Sequence, residues 1–272
     1  MRKELFLTMI KRVIAFAMML CLLSACALAD PTPTPPPLEI PQEVLTPPAI
    51  IQSVLDIAHS EWESLGGSAL KKSNKYTKWR NNYEWGWCAG FITWCMLEAG
   101  VPMMDSDKVV LDAAKASEDG FCPAEGVMYV KLANVGDLLT SYLAMDRTTN
   151  VPQPGYLLVY GASYSRYIHI GMVYDVQPLG DGKFRITTIE GNMSNTVKMY
   201  IHDYDMNADK EQNLSMVPEA ERTLEAARNL DYKIPQGKIS GMMYNFYVNC
   251  FLMPWVPGDE MNDLTTPVPP AN

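Results

Sequence analysis

Cys88 is the residue of this sequence whose chemistry depends most on its position. It stands in "EWGWCAGFITWCMLEAG", residues 84–100, where a tryptophan-rich loop gives way to a predicted helix. A thiol in the first turn of a helix meets inward-pointing backbone N–H groups and the positive end of the helix dipole, and both favour the thiolate. The position therefore predicts a nucleophile. The competing interpretation is packing, because an unreactive cysteine behaves as a small buried hydrophobe.

A histidine and a glutamate follow on two segments that have the pattern of hairpin strands. "YIHIGMVYDV" and "KFRITTIEGN" flank the turn signal "QPLGDG". If the hairpin is symmetric about the middle of that turn, the numbers of paired residues sum to 359, and His169 lies directly opposite Glu190. Such neighbours are close enough for a carboxylate to hold one imidazole nitrogen, and Asn192 shares their face. A slip of one residue would turn Glu190 to the other face.

These residue types are the parts of acyl-transfer catalysis. A thiolate attacks a carbonyl, a histidine moves the proton, and a carboxylate orients the histidine. His202, in "KMYIHDY", is a competing base, although it lacks the hairpin context of His169. The acidic stretch 203–209 resembles a calcium loop, but Ala208 and Leu214 stand where that loop requires glycine and glutamate. We therefore predict a site that uses no metal and no cofactor.

Hydrophobic periodicity predicts the elements that position these side chains. An amphipathic helix covers about residues 50–65, and a second helix over about 88–99 starts at Cys88 and buries Cys95. A third helix is predicted over 137–145. The later half of the chain is rich in strand signals, and "TVKMYIHDY" and "ISGMMYNFYVNCFLMPW" predict two strands beyond the hairpin. A surface helix is predicted at "PEAERTLEAARNL".

The amino-terminal end is typical of an export signal. Residues 1–29 combine four basic residues with an apolar run of eleven, which is too short to span a bilayer. The sequence "ALA" before Asp30 fits signal-peptide cleavage, whereas "LSAC" resembles a lipobox that would lipidate Cys26 and tether the protein to a membrane. Both processing routes stay open. We predict an exported protein, either extracellular or in the cell envelope.

Composition divides the rest of the chain. Residues 30–48 form a proline-rich linker that favours an extended conformation, residues 49–256 form the predicted catalytic domain, and residues 257–272 form a flexible tail. Loss of the leader removes four positive charges and one negative charge, so the formal charge changes from −9 to −12. Such an acidic protein argues against a nucleic acid partner. The sequence leaves open whether Cys122 and Cys250 form a disulfide or are free thiols.

Several motifs together resemble one known family. "NKYTKWRNNYEWGWCAGFITWCMLEAGV" resembles the nucleophile region of CHAP domains, the cysteine- and histidine-dependent amidohydrolase/peptidase branch of the NlpC-type, papain-like superfamily. "QPGYLLVY", "HIGMV" and "TIEGNMSNTV" resemble the family's Pro-Gly, histidine and Glu-Gly-Asn strands, in the expected order. The resemblance implies an α+β fold with the nucleophile-bearing helix packed on a central antiparallel sheet. It implies Cys88 as nucleophile, His169 as general base and then acid, Glu190 as the residue that orients the imidazole, and Asn192 as a supporting polar residue.

Two positions depart from the family pattern. Tyr156 stands where the Pro-Gly strand usually continues with aspartate, which would alter the local turn. Gly90 replaces a second alanine, which would widen the wall beside the thiolate. Among the aromatic residues of these motifs, Trp85, Trp87 and Tyr167 are the predicted substrate contacts, although aromatic residues this dense also belong to cores.

The first hypothesis for function is an exported bacterial cysteine hydrolase. It would cleave peptide or amide bonds of cell-wall peptidoglycan, as an endopeptidase or an N-acetylmuramoyl-L-alanine amidase, with the stem peptides as its partners. The second hypothesis is a non-catalytic CHAP-like module that binds or scaffolds the cell envelope. The third is an amidase or transferase for another amine-containing substrate, because a fold does not settle function. The oligomeric state stays open.

Overall fold

The computed structural model describes five segments of the chain, residues 42–79, 86–105, 128–163, 166–216 and 247–258. Four α-helices lie in these segments, α1 Ala49–Leu65, α2 Lys75–Lys78, α3 Cys88–Glu98 and α4 Val135–Ala144. Three of the four predicted helices are confirmed as α1, α3 and α4, with ends that differ by two residues or fewer. In the described segments, no helix is both long and apolar enough to cross a membrane.

The described strands form one large sheet and one small pair. Their bounds are β1 Met103–Asp105, β2 Tyr129–Lys131, β3 Thr148–Thr149, β4 Leu157–Ser163, β5 Arg166–Gly180, β6 Lys183–Met193, β7 Thr196–Asp205, β8 Leu214–Met216 and β9 Tyr247–Leu252. Seven of these described strands make an antiparallel sheet in the order β3-β9-β4-β5-β6-β7-β8, and β1 pairs with β2 in parallel. The predicted hairpin and the two further predicted strands are confirmed as β5, β6, β7 and β9.

The helices cover the sheet with their apolar residues. Helix α1 packs against α3, β6 and β7, and α3 packs against β5 and β6. The buried residues of α1 recur every three or four positions, which gives the helix one apolar stripe; they are Ile50, Ile51, Val54, Leu55, Ala58 and Trp62. Eight of the eleven residues of α3 are buried, so that helix is central to the core. The α+β fold with the Cys88 helix on an antiparallel sheet is confirmed.

The hairpin of β5 and β6 has a different register from the predicted one. Its turn lies at Asp181 and Gly182, which both have positive φ, as a two-residue type I′ turn requires. Two register shifts along β5 then bring the sum of paired numbers to 361 at Met172 and Ile189. The predicted sum of 359 is wrong, because the Asp-Gly turn lies off the middle of "QPLGDG". The difference is an even number of residues, so Glu190 keeps its predicted face.

One buried amide bonds the chain ahead of α1 to the folded domain. The side chain of Gln153 accepts a hydrogen bond from the backbone N–H of Leu45 at 2.9 Å and donates one to the carbonyl of Glu43 at 2.8 Å. Gln153 is fully buried. The end of the predicted linker, residues 30–48, is therefore bonded to the folded domain.

Some predicted features lie outside the described residues. These are the surface helix at 218–230, Cys122 and Trp85. Cys250, the other member of the possible disulfide, lies on β9 with a free thiol.

Candidate active site

Cys88 lies where the start of α3 meets the sheet. It is the first residue of the helix, and Trp87 is the N-cap with a non-helical ψ of 24°. Two backbone N–H groups donate hydrogen bonds to its sulfur, one from Ala89 in the first turn of α3 and one from Ile170 in β5. The side chain is only 5% exposed. The sulfur thus has the helix-terminal donors that favour a thiolate.

His169 lies between the thiol and a carboxylate. Its Nε2 atom is 2.8 Å from Oε2 of Glu190, and its ring is also hydrogen-bonded to Cys88. Since Glu190 is bonded to Nε2, the nitrogen that faces the sulfur is Nδ1. The three side chains therefore form one continuous chain of hydrogen bonds. His169 is 6% exposed and Glu190 is 2% exposed.

Glu190 reaches His169 diagonally across two strands. If the pairing of Met172 with Ile189 is continued by one residue, Gly171 lies opposite Glu190. A Cβ atom on Gly171 would lie 2.8 Å from Cγ of Glu190. The carboxylate side chain therefore lies over the bare backbone of the glycine, and this space allows it to extend toward the imidazole two residues away.

Two hydroxyl groups complete the surroundings of the carboxylate. Tyr160 Oη donates to Oε1 of Glu190 at 2.5 Å, and Thr188 Oγ1 donates to the same oxygen at 2.6 Å. His169 is bonded to the other oxygen. Both carboxylate oxygens of this buried residue are therefore satisfied, as burial requires.

The electrostatics of the site favour a thiolate and an imidazolium. Burial raises the pKa of the Cys88 thiol, but the hydrogen bond and the positive charge of His169 outweigh burial and lower that pKa overall. Burial disfavours the imidazolium, yet the bonds to Cys88 and Glu190 raise the pKa of His169 above its ordinary value. Burial opposes the charge of Glu190, and His169 and the two hydroxyl groups lower the pKa of Glu190 overall. The shifts are those of a thiolate and an imidazolium that stabilise each other's charge.

The region that contains the site is similar to one known family. The family model of the CHAP domain matches residues 78–192, which include Cys88, His169 and Glu190. Residues 78–192 match the CHAP domain family. CHAP domains are cysteine- and histidine-dependent amidohydrolases and peptidases with a papain-like fold, so the match indicates a domain of a hydrolase family. No curated protein and no solved structure matches the chain.

Asn192, which the resemblance to CHAP domains implies as a supporting polar residue, is not a member of the hydrogen-bond chain described above. The pairing of β6 with β7 shifts between Glu190 and Met193, and Asn192 there has a positive φ of 62°. The described hydrogen bonds of Glu190 go to His169, Tyr160 and Thr188. The role of Asn192 therefore stays a prediction from the family.

The predicted aromatic contacts have different positions. Trp87 is 3% exposed and its ring stacks against Tyr76 at a centroid distance of 5.1 Å. Trp87 is therefore part of the buried core beside Tyr76, and its contact with substrate stays a prediction. Tyr167 pairs with Gly161 in the sheet, but its side chain, like Trp85, lies outside what the structure describes.

His202, the competing base, lies on β7, which is two strands away from the strand that carries His169. His202 lies on β7 opposite Ile186, with its ring 6.0 Å from that of Tyr200. Burial lowers the pKa of His202, whereas the pKa of His169 is raised. The imidazole that is bonded to Cys88 is that of His169.

The two departures from the CHAP pattern have packing explanations. A Cβ atom on Gly90 would lie 2.9 Å from the carbonyl oxygen of Tyr76. The expectation of a wider wall beside the thiolate is therefore wrong, because the backbone of α2 fills the space that an alanine would occupy. Tyr156 is fully buried, with its ring 5.3 Å from that of Trp255. The tyrosine thus holds the carboxyl-terminal segment against the sheet.

Tyr160 and Thr188 are the site residues that the sequence analysis missed. Thr188 precedes Glu190 by two residues and so shares its face of the strand. The predicted strand therefore already placed Thr188 beside Glu190. Tyr160 lies on β4, directly opposite His169. Its position depends on the register of a third strand, for which the sequence offers no turn signal.

Proposed function

We propose that the protein is an exported bacterial cysteine hydrolase that cleaves peptide or amide bonds of cell-wall peptidoglycan. The observation that carries the proposal is the hydrogen-bonded chain from Cys88 through His169 to Glu190, at the start of a helix within the region that matches the CHAP domain family. The export signal predicted in residues 1–29 supports a substrate outside the cytoplasm. The partners would be the stem peptides of the wall.

The proposed reaction proceeds in two steps. The Cys88 thiolate attacks the carbonyl carbon, and backbone N–H groups near the start of α3 stabilise the oxyanion. His169 gives its proton to the leaving amine as the C–N bond breaks, which leaves a thioester on Cys88. His169 then accepts a proton from water, the hydroxide attacks the thioester, and the carboxylic acid product leaves with the thiolate restored. Glu190 keeps the imidazole oriented throughout.

Selective alkylation and wall digestion test the nucleophile together. We expect iodoacetamide to label Cys88 rapidly near neutral pH, and Cys88→Ser to abolish the digestion of purified peptidoglycan. Cys250→Ser is the matched control, because burial raises the pKa of the Cys250 thiol to about 12 and leaves it unreactive at neutral pH. Digestion that is unchanged in Cys88→Ser, with slow labelling of Cys88, would instead support the envelope-binding module.

Mass spectrometry of the digest identifies the bond. A new amino terminus within the stem peptides identifies an endopeptidase, and a freed lactyl group identifies an amidase. Wall material that stays intact while another amide is cleaved would support a different amine-containing substrate.

A separate experiment tests the predicted membrane tether at Cys26. Membrane fractionation of Cys26→Ser beside the parent protein shows whether this residue anchors the protein.

A further inference from the structure

Tyr160 has contacts with both members of the His169 and Glu190 pair. It lies opposite His169 across β4 and β5, and the two rings have a centroid distance of 5.5 Å. Its hydroxyl group donates to Oε1 of Glu190, while His169 is bonded to Oε2. We propose that Tyr160 is a positioning residue, which fixes the Glu190 carboxylate in its ionised form against the imidazole. This inference rests on the proposed cysteine hydrolase function.

The strand that carries Tyr160 is irregular at this residue. The pairing of β4 with β5 shifts between Tyr160 and Gly161, and the pairing of β4 with β9 shifts between Val159 and Tyr160. Such irregularities re-aim side chains and are frequent beside active sites. The irregularity of β4 therefore lies at the residue whose hydroxyl group reaches Glu190.

The hydroxyl group of Tyr160 can only act as a donor toward the carboxylate. Burial and the adjacent charge of Glu190 raise the pKa of Tyr160 well above its ordinary value, so the phenol stays protonated. A hydrogen bond to the charged form of a carboxylate favours that form. Thr188 donates to the same oxygen, so two hydroxyl groups share the task of keeping Glu190 ionised.

Other titratable groups also surround Glu190. Several elements contribute them: Cys88 from α3, Tyr160 from β4, His169 from β5, and Lys198 and His202 from β7. His169 favours the carboxylate most strongly among the groups that lower its pKa. The hydroxyl donors therefore matter most in acid, where the carboxylate begins to gain a proton.

Tyr160→Phe tests the proposal, because it keeps the ring and removes the hydroxyl group. The readout is the rate of Cys88 alkylation by iodoacetamide from pH 4 to pH 9, with wall digestion over the same range. We expect the pKa of Glu190 to rise, so that the acid limb of the alkylation profile moves toward neutrality by about one pH unit, the size of a hydrogen bond to a charged group. Above neutral pH we expect less than about a twofold change.

Two further variants separate positioning from a merely structural role. Tyr204→Phe also removes a buried hydroxyl group, one that donates to the carbonyl of Asn150 at 2.9 Å outside the site, and should leave the profile unmoved. Thr188→Val should shift the acid limb in the same direction as Tyr160→Phe. An acid limb that stays in place in Tyr160→Phe, whatever Thr188→Val shows, or a loss that is uniform across pH, would overturn the proposal.

The alkylation profile also separates this inference from the function itself. It needs only the thiol and a small reagent, and no wall substrate. A shifted acid limb in a protein that does not digest peptidoglycan would support the role of Tyr160 and reject the substrate. Digestion of peptidoglycan by the parent protein, with an acid limb that does not move in the variants, would support the substrate and reject the role of Tyr160.

Discussion

The three ionisable side chains of the site are tolerated in the interior because each one is bonded to another. Cys88, His169 and Glu190 are all less than a tenth exposed, and an unpaired buried charge would be strongly destabilising. The thiolate is paired with the imidazolium, and the imidazolium with the carboxylate. The reactivity of the thiol therefore depends on His169 more than on its own exposure.

His169→Ala should make the thiol slow at neutral pH. Without the imidazole, burial dominates and raises the pKa of Cys88, so the thiolate fraction falls. The two backbone donors remain and offset only part of this rise. We expect the alkylation rate at pH 7 to fall by at least about tenfold, which corresponds to one pKa unit, and to recover as the pH is raised. Intact-mass measurements of iodoacetamide labelling across pH would give the profile.

His202→Ala is the control for the same experiment. His202 lies on β7 beside Tyr200 and is not the imidazole bonded to the thiol. We expect this variant to keep the parent profile. If removal of His202 slowed the labelling as much as removal of His169, the assignment of the base would be wrong.

The positions of individual site residues could be predicted from the sequence where local signals exist. Cys88 could be placed at a helix start because Gly100 and the apolar periodicity fix the bounds of α3. His169 and Glu190 could be placed on one face because strand alternation needs only the parity of the register. Tyr160 could not be found, since its contact with Glu190 depends on how a third strand is aligned and on a local irregularity in pairing.

At the scale of elements, the site depends on how closely α3 approaches the sheet. A Cβ atom on Gly191 would lie 2.4 Å from Cβ of Phe91, one turn along from Cys88. The glycine next to Glu190 therefore lets the helix lie against β6. This contact brings the thiol and the carboxylate to opposite sides of His169.

Gly191→Ala should separate α3 from β6. The added methyl group meets the Cβ atom of Phe91, which cannot move without the helix backbone, so the change is one of overpacking. We expect the free energy of unfolding to fall by about 1–3 kcal/mol, together with a loss of rapid Cys88 labelling. Urea unfolding and iodoacetamide labelling on the same samples would measure both effects.

Gly136→Ala is the control, at a glycine of α4. It adds the same methyl group in α4, where the nearest neighbour is the side-chain oxygen of Asn134 at 3.2 Å. We expect its stability to stay within about 1 kcal/mol of the parent, with unchanged labelling. Equal effects of the two variants would show that closeness of α3 to the sheet is not the cause.

The register of the hairpin shows the limit of sequence analysis at this scale. The Asp181-Gly182 pair is the strongest short turn signal in the segment, and it lies beyond the middle of "QPLGDG". The two later shifts along β5 have no comparable local signal, because bulges depend on the strands at both sides. The predicted contact between His169 and Glu190 is present because the observed register differs from the predicted one by an even number of residues.

At the scale of the whole molecule, contacts between distant parts of the sequence close the sheet. Strand β9 lies between β3 and β4, about a hundred residues away in sequence. The side chain of Asn213 donates to the carbonyl of Val248 at 3.0 Å and accepts from its N–H at 3.1 Å. The sequence predicted the last strand but not its place in the sheet, since a buried amide gives no periodic signal.

The amino-terminal attachment is the feature of the whole molecule that is simplest to test. Gln153 is fully buried and holds residues 43 and 45 through both atoms of its amide. A chain that begins at residue 49 would leave those atoms without these partners, whereas a chain that begins at residue 42 would keep them. We expect the shorter protein to lose about 1–3 kcal/mol of unfolding free energy, the usual penalty for unsatisfied buried polar groups. Denaturant unfolding of both proteins would measure the difference.

A double-mutant cycle assigns that loss to the amide. In a Gln153→Ala background, the two chain lengths should differ by less than they do in the parent, because the hydrogen bonds are already absent. Leu45 packs partly against the core, so some loss from truncation should remain in both backgrounds. A truncation penalty that is the same with and without Gln153 would mean that packing alone holds the segment. A truncation penalty that is smaller in the Gln153→Ala background than in the parent would place the start of the folded domain before residue 43. That start lies inside the stretch that composition alone assigns to the linker.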